Sequence, residues 1–255
     1  MSKLFEKKTV IISGGLGDIG LAIAKAFAKQ GASIALCDQH PASAATKALD
    51  VLAQYKIPVS YDCVDVSDAG AVRQWIKKVQ SEQQIPTIII VNAAMVTIAG
   101  IHTITSDQWS REIDVNLNGA FHLASETTRL LVQQQQPGRV VFIGSWAAYT
   151  PHTHIPAYCV SKAGLRMLCK CMALELAAHN ILVNEIAPGF VEAGLSARVW
   201  EKDPQLAKEA VEKVPVHKLI TAEAVAGQVI QLCHPNNVHM TGSTILMDGG
   251  LSLLS

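Results

Sequence analysis

The chain has 255 residues, with 21 acidic and 21 basic side chains, so its formal net charge is zero. That balance gives no electrostatic case for nucleic acid or an anionic membrane as partner. Hydrophobic residues reach 49% and charged ones only 16%, which fits one large α/β domain spanning 1–255 with surface left for subunit contacts. The six cysteines form no Cys-x-x-Cys pair and no histidine cluster has zinc-like spacing. We therefore expect no metal, and reduced thiols in a cytoplasmic protein. Met1 to Lys8 is polar and is not expected to be a signal peptide. Residues 85–104 carry no formal charge, yet Pro86, Asn92, Gly100 and His102 suit a buried strand and loop better than a membrane span.

Thr9 to Ile12 is a β-branched run, read as a buried strand. Ser13-Gly14-Gly15-Leu16-Gly17-Asp18-Ile19-Gly20 follows, and then an alanine-rich helix from Leu21 to Gln30 that ends at Gly31. Strand, glycine turn and helix are the context of a pyrophosphate site: glycines admit the phosphates, and the helix N-terminus offers free N–H groups. The expected contacts are Gly14, Gly17, Asp18, Ile19 and Gly20. Ser33 to Cys37 forms the next strand and ends at Asp38. An acid there hydrogen-bonds the adenosine ribose and repels a 2′-phosphate. Gln39, His40 and Pro41 supply no Arg or Lys, so NAD is expected over NADP.

A helix from Pro41 to Tyr55 and a strand from Val59 to Val64 lead to Asp65-Val66. Ser67 is positioned to cap a helix reaching Gln80. The strand Thr87 to Val91 ends in Asn92-Ala93-Ala94, small residues that suit a flat ring passing close by. Thr105 and Gln108 resemble a capping box, opening a long helix that carries Asn116 and ends near Gln136. Pro137-Gly138 turns the chain into a strand, Arg139 to Ile143, which delivers Gly144-Ser145.

Apolar residues then recur at helical spacing from Ala157 to His179. On such a helix Tyr158 and Lys162 share a face. A phenol ionises near pH 10, and an adjacent ammonium pulls that value down. A tuned tyrosine can take a proton from an alcohol or return one to a ketone. A nearby serine hydroxyl such as that of Ser145 can hold the substrate oxygen. Tyr-x-x-x-Lys alone arises often by chance and equally describes two surface residues. Ile181 to Ile186 is a sixth strand, broken by Pro188-Gly189. Residues 190–217 are charged and irregularly helical, as a substrate lid is. Thr221 caps a helix to Leu232, and a last strand, Ser243 to Met247, precedes Asp248-Gly249-Gly250. Alternation of strands and helices indicates a parallel sheet covered on both faces.

Taken in order, several of these features resemble the short-chain dehydrogenase/reductase family over nearly the whole chain. They are the glycine turn, Asp38, Asp65-Val66, Asn92-Ala93-Ala94, Asn116, Ser145, Tyr158 with Lys162, Pro188-Gly189 and Asp248-Gly249-Gly250. The resemblance implies a single Rossmann-fold domain with a seven-stranded parallel sheet, usually in a homotetramer. It implies that Tyr158 is the general acid/base, that Ser145 orients the substrate oxygen, and that Lys162 binds the nicotinamide ribose and lowers the tyrosine pKa. Asn116 would hold a water linking Lys162 to solvent. Asp38, Asp65, Val66, Asn92, Ala93, Pro188, Gly189 and Val191 would complete the cofactor site.

Three departures stand out. Asp18 occupies a usual glycine position and is expected to turn outward or cap the helix. Val91 and Ala94 replace an asparagine and a glycine. No hydroxyl follows Pro188-Gly189 in Phe190-Val191-Glu192-Ala193, so a backbone group such as that of Val191 would bind the carboxamide. Trp146, His152 and Phe190 are the expected substrate contacts, with Tyr149, His154 and Trp200 as further lining candidates. This mix suits a polyol or sugar, a hydroxy acid or a small cyclic alcohol. The leading expectation is an NAD-dependent dehydrogenase acting on a small-molecule secondary alcohol or its ketone. A 3-oxoacyl-thioester reductase is the second, although Arg129 and Arg166 are too few for a basic docking face. A non-catalytic nucleotide sensor or scaffold is the third.

Overall fold

The computed structural model describes residues 3–194 and 204–254. Its core is one seven-stranded sheet in the order β3-β2-β1-β4-β5-β6-β7. The strands are β1 (Thr9–Ser13), β2 (Ser33–Asp38), β3 (Val59–Cys63), β4 (Pro86–Val91), β5 (Gly138–Ile143), β6 (Ile181–Pro188) and β7 (Thr244–Met247). All adjacent pairs are parallel. Every residue of β1, β4 and β6 is buried, as both faces of a helix-covered sheet require. One face is packed by α1 (Asp18–Lys29) and α8 (Ala222–Cys233), around Ile23, Phe27, Val225 and Val229. The other is packed by α3 (Ala69–Glu82), α5 (Gly119–Gln133) and α6 (Pro156–Leu176), around Trp75, Leu123 and Leu165. The chain passes from β3 at one edge back to β4 beside β1. Strand order reverses there, and a crevice opens beyond the strands' carboxyl ends.

Several boundaries differ from the sequence reading. α1 begins at Asp18, three residues early, so Gly20 lies inside its first turn rather than before it. The segment after Pro41 starts as a 3₁₀ turn, Ala42–Ala45, and becomes α2 only at Thr46–Ala53. Ser67 does not cap α3; Asp68 does, accepting from the Gly70 and Ala71 amides. The capping box at Thr105 and Gln108 forms in both directions. The long helix it opens is interrupted: α4 (Ser106–Ile113) passes into a π-turn at Asp114–Asn118 before α5. Such wide turns re-aim side chains, and this one carries Asn116. The expected lid falls partly outside the described residues. Within them, Val191 bridges Ile220 and α7 spans Pro204–Lys213. After β7, Leu251 is buried while Leu253 and Leu254 are exposed. Among the described residues no helix is long and apolar enough to cross a membrane, and no cluster could hold a metal ion.

Candidate active site

The glycine turn is built for close contact with a ligand. A Cβ on Gly20 would lie 2.2 Å from the Gly14 carbonyl oxygen, so that glycine lets α1 sit tight on β1. Gly17 is different: a Cβ there would meet only the Gly14 oxygen, at 3.5 Å. Its missing side chain therefore serves the open crevice, where a pyrophosphate would approach the N-terminus of α1. Gly17 is also the N-cap and offers no side chain to the first N–H groups of α1, among them those of Asp18 and Ile19. The Asp18 side chain neither caps α1 nor points at that cradle. Its Oδ2 accepts from the Gly194 amide at 2.7 Å, joining the glycine turn to the segment after β6. Two of the three departures, Asp18 and the stretch after Pro188-Gly189, thus meet in space.

Asn92 braces this turn. Its Nδ2 donates to the Ser13 and Gly14 carbonyls, each at 3.0 Å. The amides of Asn92 and Ala93 both donate to Ser13 Oγ at 3.1 Å. So the Asn92 side chain shapes the phosphate turn. Replacing Asn92 with Ala strips two part-buried carbonyls of their donor. We expect a loss of about 1–3 kcal/mol in stability, with a weaker dinucleotide Kd. Thermal unfolding and a dinucleotide titration would check it; unchanged values in both would remove the bracing role.

Asp38 stands at the end of β2 with Oδ2 accepting from the Leu16 amide at 3.3 Å, and His40 Nε2 lies 3.8 Å from its Oδ1. The carboxylate lines a slot shared with Gly14, Asp65, Val66, Ala93 and Arg111. Arg111 was not foreseen from sequence. Its guanidinium donates to Asp65 Oδ2 at 2.8 Å and to Ser67 Oγ at 2.7 Å. Burial alone would raise the Asp65 pKa, but the Ser67 and Arg111 donors outweigh it and hold the carboxyl below its ordinary value. A glycine-cleared helix N-terminus, a strand-end acid and a flat slot between them fit a dinucleotide.

Beside the slot lies the proton-transfer cluster. Ser145 follows β5 and caps a 3₁₀ turn, Trp146–Ala148, by accepting from the Ala147 amide at 3.1 Å. Tyr158 projects from the first turn of α6, and the Ser145 hydroxyl acts on its phenol, favouring the ionised form. Lys162, one turn on, is 2% exposed; its Nζ lies 5.5 Å from the Tyr158 ring centroid and donates to the Ile143 carbonyl at 2.8 Å. The expected lowering of the phenol pKa by Lys162 is not seen, because burial acts the other way. Burial pushes Tyr158 up to about 12, opposed by the Ser145 hydroxyl. Burial brings Lys162 down to about 8, opposed by the carboxylates of Glu185 and Glu112. Desolvation disfavours both charged forms and is the largest influence on each.

The Asn116 side chain is held by the segment after β4 and by α6. Its Oδ1 accepts from the Met95 amide at 2.8 Å, and its Nδ2 donates to the Met95 carbonyl at 2.9 Å and to Ser161 Oγ at 3.1 Å. Gly189 packs on Asp248: a Cβ there would lie 2.9 Å from the Asp248 Cα. Pro188 ends β6 beside it. Phe190 and Glu192 make the backbone bonds to Ile220, which turns the amide and carbonyl of Val191 the other way. The three expected substrate contacts do meet: the Trp146 ring packs edge-on against His152 at 4.7 Å and Phe190 at 5.4 Å. Burial lowers the His152 pKa, leaving a neutral imidazole at pH 7. Tyr149 instead lies over the Arg166 guanidinium, 3.2 Å from its ring centroid, and His154 is exposed. Trp200 lies outside the described residues.

A family profile described as enoyl-(acyl carrier protein) reductase matches residues 15–252. The 2,3-dihydro-2,3-dihydroxybenzoate dehydrogenase of Bacillus subtilis is 31% identical over 260 aligned positions, covering 99% of this chain and 98% of that one. A short-chain type dehydrogenase/reductase from Mycobacterium marinum superposes with a TM-score of 0.90 at 27% identity, covering 98% of both chains. The chain belongs to the short-chain dehydrogenase/reductase family. It is an oxidoreductase of that family. Within the same family, the 3-oxoacyl-[acyl-carrier-protein] reductase MabA of Mycobacterium bovis is 29% identical over 98% of this chain and 94% of its own length. An NAD+-bound xylitol dehydrogenase superposes with a TM-score of 0.91 at 28% identity, covering 96% of this chain and 99% of that one.

Proposed function

We propose that this short-chain dehydrogenase/reductase is an NAD-dependent dehydrogenase acting on a secondary alcohol of a sugar, polyol or similar hydroxy compound, interconverting it with its ketone or lactone. The observation that carries the reading is Lys162, buried, with its Nζ 5.5 Å from the Tyr158 ring one turn away on α6, and the buried Ser145 hydroxyl favouring the phenolate. A nicotinamide dinucleotide supplies, when bound, the hydride acceptor for oxidation and the donor for reduction. Gly14, Gly17, Ile19 and Gly20 would hold its phosphates, Asp38 its adenosine ribose, Asp65 and Val66 its adenine side, and Lys162 its nicotinamide ribose. Ala93, Pro188, Gly189 and Val191 would flank its ring. Ser145 donates to the substrate oxygen and fixes it beside Tyr158. The phenolate of Tyr158 takes the hydroxyl proton during oxidation, and the phenol returns it during reduction. Lys162 keeps positive charge behind the phenolate. Trp146, His152 and Phe190 form a wall with one polar edge, which suits a hydroxylated substrate. The dehydrogenase names of the Bacillus relative and of the xylitol structure support this branch. Related structures hold NAD+ or NADP, so the preference for NAD is read from Asp38 itself. The MabA relative favours one other reading, reduction of a 3-oxoacyl thioester.

The deciding assay is NAD and NADP reduction across sugars, polyols, cyclic alcohols, hydroxy acids and 3-hydroxyacyl thioesters. NAD turnover on a sugar or polyol is the expected result. Activity confined to thioesters, or a preference for NADP, would overturn it.

A homotetramer is part of the same proposal. α6 leaves Val160, Met167 and Leu174 exposed at seven-residue spacing, an apolar stripe suited to a second copy of the helix. Replacing Met167 and Leu174 together with Glu should yield smaller species in sedimentation velocity. An unaltered assembly would show that another face is used.

A further inference from the structure

Tyr158, Lys162 and Arg166 follow one another at single-turn spacing along α6. The last two reach the same strand-end segment, one on each side of Ser145. Lys162 Nζ donates to the Ile143 carbonyl at 2.8 Å, just before the serine. Arg166 Nη1 donates to the Ala148 carbonyl at 3.3 Å, just after it, and the guanidinium lies 3.2 Å from the centroid of the Tyr149 ring.

Arg166 is itself held by Glu185 of β6. The carboxylate is wholly buried, the guanidinium nearly so, and Nε lies 3.3 Å from Oε2. Thr244 Oγ1 of β7 donates to the same oxygen at 2.7 Å. Glu185 also packs on the end of β5: a Cβ on Gly144 would lie 2.7 Å from the Glu185 carboxyl carbon, so only glycine fits immediately before Ser145.

Stability alone does not account for this pair. Apolar groups of the same volume often serve a core as well as a buried ion pair does. An Arg–carboxylate pair at its strongest is bidentate, with two parallel bonds. Here one nitrogen meets the carboxylate, while Glu185 Oε1 and Arg166 Nη2 are buried with no hydrogen bond among the described residues. The guanidinium is instead divided between Glu185 and the Ala148 carbonyl. Between those two anchors runs the 3₁₀ turn that Ser145 caps. Its Oγ accepts from the Ala147 amide and its carbonyl from the Ala148 amide, each at 3.1 Å.

We propose that Arg166 and Glu185 are positioning residues of the proton-transfer set: together they brace the turn from Gly144 to Tyr149 against α6, and so fix the Ser145 hydroxyl relative to Tyr158 and Lys162 of the same helix. The inference rests on the substrate-orienting role given above to Ser145. Both residues act through the turn and not on the substrate.

The test removes both charges at once, Arg166→Met with Glu185→Gln, so that no unpaired charge is left buried and Thr244 keeps an acceptor. Amide hydrogen exchange is followed by NMR in the full-length protein, and steady-state rates on an alcohol that the parent oxidises. Exchange at the Ala147, Ala148 and Tyr149 amides should quicken about tenfold or more, with β1 amides and the NAD Kd at parental values. The kcat should fall about tenfold or more, as it does when a reacting group is misplaced, with the KM for NAD unchanged. A pair that only fills the core would shift the thermal midpoint and leave both readings alone. Arg166→Lys is the second variant. It keeps a cation beside Glu185 but has no planar fork to share with Ala148, and should show the same two changes. Parental exchange in a folded variant, parental kcat despite quicker exchange, or loss of folding in both variants would overturn the proposal. Absence of turnover in the parent protein would overturn the dehydrogenase reading instead, and the exchange rates would then decide whether the pair braces the turn.

Discussion

Replacing Tyr158 with Phe should lower turnover by roughly 10²–10⁴-fold, the usual worth of a general acid/base, while leaving NAD binding near its parental value. The ring is retained, so the packing of α6 beside Ser145 survives. What disappears is the single hydroxyl on which Ser145 acts and that can exchange a proton with the substrate oxygen. The pH dependence gives the sign. A base works in its deprotonated form, so alcohol oxidation should climb with pH below the effective pKa of Tyr158. Ketone reduction needs the phenol and should fall as pH rises through that value. Burial pushes this pKa up to about 12, so positive charge close to the phenol is needed to bring it into the working range. Both slopes should vanish in Tyr158→Phe. Steady-state rates in both directions, paired with a dinucleotide titration, check it; full turnover in the variant would sink the mechanism.

Replacing Asp38 with Ala should move the NAD-to-NADP preference by roughly 10²-fold or more. Two effects act together. A charge-assisted hydrogen bond to a ribose hydroxyl is worth about 1.5–3 kcal/mol, and NAD loses it. A 2′-phosphate meets no carboxylate, so NADP loses a repulsion. Gln39, His40 and Pro41 bring no Arg or Lys, and Arg111 in the same slot is engaged by Asp65 and Ser67, so Ala removes the discrimination, and Arg in place of Asp38 should reverse it. His40, 3.8 Å away, is left to face the phosphate. The ratio of kcat/KM for the two cofactors is the measurement. An unchanged ratio would place the adenosine ribose elsewhere and withdraw the assignment of Asp38.

The parallel sheet was legible because its strands are short apolar runs, most of them rich in Ile and Val, that need burial on both faces, while glycine or proline marks the carboxyl ends of β1, β5, β6 and β7. Asn116 was visible as a residue, but its setting was not. The capping box at Thr105 and Gln108 announced one continuous helix, and periodicity carries no sign of the π-turn that re-aims residues 114–118. Local pattern also misplaced the cap of α3 by one residue, since Ser67 and Asp68 are equally good caps and only the backbone path chooses Asp68. Arg111 and Glu112 left no signal: on a surface-like helix, Arg-Glu reads as a solvated pair. In the fold they part, Arg111 to Asp65 and Glu112 to the Thr97 amide.

Sequence by itself determined the sheet, the order of its elements, the glycine turn and the reach of Tyr158 and Lys162 from one helix face. These depend on spacing along the chain, and local geometry converts spacing directly into position. Tertiary structure decided what depends on who is buried beside whom. It joined Asp18 to Gly194 across the crevice, spent Asn92 on the glycine turn, and set the charge balance around Tyr158. The physical reason is desolvation: a residue's chemistry changes when its neighbours exclude water, and those neighbours come from elements far apart in the chain.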